Sequence, residues 1–368
     1  MRRHLVALLA IPLLLGAGSV PPSPRDLAVQ RGVDFLLKDQ NADGSWGSLK
    51  NSGVQDVFWS NPEVHRAWRE ATTGLCCMAL MAHGNQPDAP GALARGVDFL
   101  LRNADLRRPN DWDTDHVWGL LFGLEALARA ERHPALGFRR EACRAAVEAL
   151  IRRMAASQTP SGGWGYYDFE AVPTFPPSWA TSFMTGGAVL ALREARESGH
   201  ALPPGMMEAA LKALSQARLP DGAYTYSVEA VPRPTPGSER IQNPKGSLSR
   251  IQVCTLARFL EKSGVAEQDL RGGLDRFFEL HKFLDVACCR PIPHEAYYQN
   301  AGYFFLYGHA YAARVIRCLP QAAQASYRDR LEKILLALQT PDGSWWDFPM
   351  QGYAKPYGTA FALLALAN

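Results

Sequence analysis

Gln339-Thr340-Pro341-Asp342-Gly343-Ser344-Trp345 has two close relatives in the same chain, Gln40-Asn41-Ala42-Asp43-Gly44-Ser45-Trp46-Gly47 and Gln158-Thr159-Pro160-Ser161-Gly162-Gly163-Trp164-Gly165. A stretched fourth version runs from Gln216 to Asp221-Gly222-Ala223-Tyr224. Working outward, the stretch before the first copy, Gly32-Val33-Asp34-Phe35-Leu36-Leu37, returns as Gly96-Val97-Asp98-Phe99-Leu100-Leu101. Looser versions begin at Ala146, Ala210, Gly273 and Leu331. Six copies, about 50 to 65 residues apart, mark a repeat architecture.

Each repeat predicts two helices of different character. The first is amphipathic. In the sixth repeat Leu331, Ile334, Leu335 and Leu338 follow a helical stripe, with Arg328, Arg330, Glu332 and Lys333 on the other face. The second is apolar almost all round, as in Leu75–Met81, Val117–Leu127, Phe183–Leu192, Ile251–Leu260, Tyr303–Ile316 and Ala360–Ala367. A helix apolar on every side must be buried on every side. Alternating the two kinds predicts an all-α, double-layered ring with the apolar helices inside. An open superhelix would need polar caps at its ends. The first and last repeats are instead the most alike, which suits a closed ring. In the turns, Asp-Gly supplies a left-handed residue after the outer helix. The Gln side chain can bond free backbone groups at a helix end.

The bulk properties narrow the function. The chain has 368 residues, 47% of them hydrophobic and 20% charged, with a net charge of +3 and no Lys/Arg block. A nucleic-acid partner, which demands a concentrated basic footprint, is not expected. Residues 1–19 read as a signal peptide: Arg2, Arg3 and His4, then the apolar run Leu5–Leu15, then Ala17-Gly18-Ser19. The alternative is a retained anchor helix. Either way the expectation is an exported protein (periplasmic, cell-surface or secreted), with residues 20–368 forming one domain. No apolar insertion for membrane contact stands out. The cysteines number seven. Cys76-Cys77 and Cys288-Cys289 are adjacent, and neighbouring Cα atoms about 3.8 Å apart make a bridge within either pair strained. Cys76, Cys77 and Cys254 read as small buried hydrophobes. A disulfide from Cys288 or Cys289 to Cys318 would become available after export.

The turn motifs resemble the Gln-Trp repeats of the terpene cyclase and protein prenyltransferase superfamily, most clearly those of squalene–hopene cyclases. The repeat pattern covers the mature chain. The resemblance implies an α6–α6 toroid with a central cavity, a fold that hosts several functions. Class II terpene cyclases protonate an alkene with an Asp-x-Asp-Asp motif at the start of an inner helix. Here Trp112-Asp113-Thr114-Asp115-His116-Val117-Trp118 stands at the start of the second inner helix. The first two carboxylates match and His116 replaces the last, so the resemblance implies Asp115 as the acid. Such an acid must be held protonated near its target, whereas a helix N-terminus favours the carboxylate. The competing reading is that Asp113 or Asp115 caps the helix. The zinc site of the protein prenyltransferases is not matched: Gly358 stands in place of its His and Gln252 in place of its Asp, leaving Cys254. No metal and no cofactor are expected.

The inner helices of a toroid run the same way, so their N-termini gather at one mouth. The catalytic candidates there are Asp113, Asp115 and His116. The binding candidates are Trp68, Trp112, Trp179, His294, Glu295, Tyr303 and Tyr357. The Pro-rich loops 166–178 and 219–248 are candidates to cover the mouth. The leading expectation is an aromatic pocket for an isoprenoid or another apolar small molecule, and if catalytic, a terpene-cyclase-like isomerase or lyase. A carbohydrate-active hydrolase or lyase would need two carboxylates across the pocket, with Glu70 or Glu295 opposite Asp115. A non-catalytic protein-binding module would show a plugged centre and a large exposed patch.

Overall fold

The computed structural model describes residues 21–49, 61–84, 86–228 and 238–367. The segment 1–19 read as a signal peptide lies outside them. In chain order the elements are α1 Pro24–Asp39, α2 Pro62–His83, α3 Ala89–Asn103, α4 His116–Arg132, α5 Arg140–Ala156, β1 Ala180–Thr181, α6 Ser182–Glu197 and α7 Met206–Ala217. They continue as β2 Ser227–Val228, α8 Ser238–Gln242, α9 Pro244–Leu260, α10 Glu267–Glu279, α11 Lys282–Asp285, α12 Phe304–Arg317, α13 Gln321–Leu338 and α14 Ala354–Leu366.

The apolar helices α2, α4, α6, α9, α12 and α14 pack each on the next, and α14 packs back on α2. That closes the inner ring. The amphipathic helices α1, α3, α5, α7, α10 and α13 form the outer layer, and α1 meets both α13 and α14 across the seam. Burial follows the two sequence patterns. In α14 every residue but Lys355 and Leu364 is buried, whereas α1 buries only Ala28, Gly32, Val33 and Leu36. The stripe expected in α13 is shorter than its sequence suggests: Leu331 and Leu335 are buried, while Leu338 at its end is exposed.

The turn motifs fasten one repeat to the next. Gln40 Nε2 donates to the carbonyl of Gly44 in its own turn (2.9 Å) and to that of Ala92 in α3 (2.8 Å). Gln158 bonds Gly162 and Met206 in the same way, bridging to α7. Gln339 bonds Gly343 and Ala28, so the bond that closes the ring is the same bond that links neighbours. The Trp indole N–H of each turn donates to a carbonyl ten residues earlier: Trp46 to Leu36, Trp164 to Met154, Trp345 to Leu335, at 2.7 to 2.8 Å. The rings then pack on the glycines of the outer helix that follows. A Cβ on Gly96 would meet Trp46 at 2.8 Å, and one on Gly32 would meet Trp345 at 2.8 Å. Gly343 has φ of 89° and its missing Cβ would lie 2.5 Å from the Arg31 carbonyl, so both backbone conformation and space require glycine.

Cys76, Cys77, Cys143 and Cys254 are buried thiols. The expected bridge to Cys318 does not form. Cys289 lies by Asp347 near the start of α12, and Cys318 lies at its end, about 21 Å away along a helix of 14 residues.

Candidate active site

At the N-terminal ends of the inner helices a chamber of about 200 Å³ opens along the ring axis. Its walls are helical stripes. From α2 come Trp68, Ala71, Thr72 and Leu75; from α4 and its cap, Asp115, Trp118 and Phe122; from α14 and its cap, Tyr353, Tyr357 and Phe361. Tyr303, Phe304 and Tyr307 complete the α12 side, and Phe183 the α6 side. Tyr166, Phe348 and Met350 descend from the loops. The spacings, i, i+3, i+4 and i+7 in α2, i, i+3 and i+7 in α4, and i, i+4 and i+8 in α14, keep to one face of each helix. The rings contact one another edge-on or stacked, as in Trp118–Phe122 (5.9 Å), Phe183–Phe304 (5.1 Å) and Tyr307–Phe361 (5.8 Å). Asp115 is the only carboxyl among the lining residues.

Asp115 stands at the N-cap position of α4 but makes no capping hydrogen bond. The backbone role falls to Asp113, whose Oδ1 accepts from the Asp115 N–H (2.9 Å). The capping and acid readings therefore divide between the two residues. Asp115 is partly buried in the chamber wall. Burial pushes its carboxyl well above the usual range, the neighbouring Asp113 adds to the rise, and the Trp68 indole N–H, 3.2 Å from Oδ2, pulls against it. Burial outweighs any preference of the helix start for the carboxylate. Asp113 itself is raised by burial, opposed by its bond from Asp115 and by Arg108. With Oδ2 taken by Trp68, Oδ1 is left to carry the proton of a neutral acid.

His116 does not join them. One residue along the helix turns it about 100° away. It is buried with Nε2 3.2 Å from Ser157 Oγ, and burial together with Arg108 lowers it to about 4.

The binding candidates divide. Trp68, Tyr303 and Tyr357 line the chamber. Trp179 lies behind the lining, edge-on to Tyr166 at 5.2 Å. His294 stands behind Tyr303, with Nε2 2.9 Å from its hydroxyl and Nδ1–H donating to the Gln299 carbonyl (2.6 Å). Trp112 is 45% exposed and points outward. Glu295 is exposed beside Arg290 and does not reach the chamber. Glu70 is buried where α2 meets α4, against Gly119 and Gly123, with both carboxyl oxygens unbonded. Neither Glu70 nor Glu295 faces Asp115, because a position near the mouth does not fix which side of the backbone a residue takes.

Two features are not evident from the sequence reading. Asp347 follows the last Trp turn by two residues. Its Oδ1 accepts from the Tyr357 hydroxyl (2.7 Å) and its Oδ2 from the Leu306 N–H (2.8 Å), so it fixes a chamber tyrosine and caps α12 together. Burial raises it to about 7 against both bonds. The second feature is the 166–178 loop, gathered around buried Asp168. That carboxylate pairs with Arg108 (3.2 Å) and accepts from Thr174 N–H (3.0 Å) and Ser178 Oγ–H (3.0 Å). The loop meets the following one through β1 and β2 and through the Tyr166–Tyr226 hydroxyl contact (2.7 Å). Its outer side leaves Phe169, Val172 and Phe175 65 to 77% exposed, an apolar projection that the sequence does not announce. Among the described residues no helix is long and apolar enough to cross a membrane.

Residues 11–123 match the family model of the squalene-hopene cyclase C-terminal domain. The chain is 27% identical over 219 residues to the drimenyl diphosphate synthase of Streptomyces showdoensis. That match covers 58% of this chain and 35% of the synthase, so the chain spans about a third of that relative. Among solved structures, a point variant of the type II terpene cyclase MstE from Scytonema superposes with a TM-score of 0.53 at 14% identity, covering 94% of this chain and 96% of that one. An α-1,6-mannanase from Salegentibacter superposes with a TM-score of 0.59 at 10% identity, covering 94% and 98%. The molecule is a terpene cyclase-like α/α toroid, in a fold that sugar hydrolases share.

Proposed function

We propose that the chamber binds an isoprenoid or a similarly apolar ligand, and that Asp115 protonates an alkene of it, making the protein a divergent terpene-cyclase-like isomerase or lyase. The observation that carries this reading is a single carboxyl, held toward its neutral form, facing a chamber walled by aromatic rings. In the step envisaged, the Asp115 O–H bond breaks and a C–H bond forms at one alkene carbon. The π pair supplies that bond, and the neighbouring carbon becomes cationic. Trp118, Phe122, Phe183 and Phe361 then offer ring faces to the cation. Ring closure moves the charge along the ligand, and loss of a proton to water ends the sequence. At about 200 Å³ the chamber is smaller than most sites for drug-sized ligands. It suits a short apolar segment, with a longer chain extending through the mouth.

The carbohydrate reading draws on the mannanase-like fold. It needs two carboxyls facing each other across the cavity, and the lining holds only Asp115. A protein-binding module would have a plugged centre in place of this chamber. Mass spectrometry of whatever co-purifies with the native protein separates the three. A bound isoprenoid or other lipid supports the chamber reading, whereas a glycan, or a chamber that no isoprenoid competes for, contradicts it. Export, through the segment 1–19, belongs to the same proposal. Amino-terminal sequencing of the protein from the periplasm or medium should begin near residue 20.

A further inference from the structure

The opposite mouth of the ring, where the inner helices end, is built from different chemistry. A cavity of about 490 Å³ lies there, lined by Arg129, Arg314 and Arg317, by the carboxylate of Glu194, and by Leu256, Leu260 and Leu364. Basic residues at helix C-termini are expected from the helix dipole alone. The dipole does not account for how these side chains are paired. Glu125 is shared by Arg129 (2.5 Å) and Arg314 (3.1 Å), and Glu194 by Arg129 and Arg132. Three guanidinium groups thus share two carboxylates, and Arg317 lines the same cavity beside them. Arg129 Nε is buried and lies 3.3 Å from Glu194 without making a hydrogen bond. Arg317 has no carboxylate partner among the described residues; its one protein bond is Nη1 to the Ala367 carbonyl (3.2 Å). Burial and the repulsion of Arg314 and Arg129 lower it to about 10. Cations that repel one another around an open cavity are held there at a cost that an anion would remove.

We propose that this mouth is a binding site for a phosphate-class oxyanion, held by Arg317 with Arg129 and Arg314, and distinct from the aromatic chamber. Guanidinium forks match phosphate oxygens in geometry and charge. The leucines opposite would accommodate an apolar substituent on the anion. Between the two ends lies a smaller cavity of about 40 Å³ beside Glu125 and Tyr311, room for a few waters. The anion proposed is held at the arginine mouth alone, by residues that do not line the chamber, so the site stands or falls independently of the function proposed above.

The test is calorimetric titration of the full-length protein with inorganic pyrophosphate and inorganic phosphate at constant ionic strength, with chloride as the reference salt. Saturable binding is expected, weakened at least tenfold by Arg317→Gln, largely retained by Arg317→Lys and unchanged by Asp115→Asn at the far end. Octyl phosphate distinguishes two sources of the anion. Affinity equal to that of phosphate assigns a free anion, and much tighter binding assigns a phosphate monoester seated on the leucines. No saturable binding beyond chloride overturns the proposal, as does an Arg317→Gln protein that folds by circular dichroism and binds like the unaltered chain. Binding lost in Asp115→Asn but kept in Arg317→Gln would place the anion at the other mouth and overturn it equally.

Discussion

Helix α4 carries a carboxyl toward each end of the ring axis, and the two are held in opposite states. Asp115, at its start, faces aromatic rings and is pushed up by burial and by Asp113. Burial raises Glu125, about 15 Å further along, as well, yet Arg314 and Arg129 outweigh it and bring the carboxyl below its ordinary range. Enclosure is common to both and so cannot set the difference. Charged neighbours set it. At one end burial raises a carboxyl in an apolar room, and at the other ion pairs lower one in a polar room.

The largest expected break in this contrast is Asp115→Asn. A positioned general acid contributes about 10² to 10⁴ in rate, so turnover of an isoprenoid should fall by at least a hundredfold while the melting temperature holds or rises. Glu125→Gln should do the reverse. It leaves Arg129 and Arg314 without their shared anion, at a cost of about 3 kcal/mol or more in urea unfolding, with turnover per folded molecule little changed. Trp68→Phe is a finer probe. It removes an N–H that favours the Asp115 carboxylate, so the acid should stay protonated to higher pH. The basic limb of the pH–rate profile should move up by about half to one unit, in line with one hydrogen bond of about 1 kcal/mol. A downward shift would contradict the assignment of Oδ1 as the proton-bearing oxygen.

The smallest effect concerns Asp347. Its folded value of about 7 lies above the ordinary carboxyl range, so the folded state binds the proton more tightly than the unfolded chain. That contribution is fully present below about pH 4 and is lost as pH rises through about 7. Buried His116, lowered to about 4, works oppositely, losing stability as pH falls below about 6.5. The net slope of the unaltered protein therefore mixes the two. The informative quantity is the melting temperature of Asp347→Asn minus that of the unaltered chain, which should become more favourable to the variant between pH 4 and 7. A difference independent of pH would show that Asp347 is ionised throughout.

The ring was more legible in the sequence than the site, for a physical reason. The Gln and Trp side chains bond backbone atoms within ten residues of themselves or at the same place in the next repeat, so their spacing is preserved in the text. The chamber is made by side-chain direction. Asp115 and His116 are neighbours in sequence and face different volumes, while Trp118 and Phe122 share the face of Asp115. Following that face along each inner helix would have found Thr72, Phe122, Tyr307 and Phe361, and would have set aside His116 and Glu70. Trp112 and Glu295 sit at the right mouth but on loops, where no periodicity says which way they turn. Asp347 could have been found only as an acid in the segment joining a Trp turn to an inner helix. The surplus of arginines at the far mouth has no local signature at all, since Arg129 and Arg317 meet only when the ring closes.

The central claim, that Asp115 delivers a proton to a ligand held in the aromatic chamber, is tested most directly by incubating the protein in D₂O with a panel of linear isoprenoid alcohols and diphosphates and analysing the products by mass spectrometry. A rearranged or cyclised product carrying one deuterium on carbon is expected, formed by the unaltered protein and absent with Asp115→Asn. The same deuterated product at an unchanged rate from Asp115→Asn would contradict it.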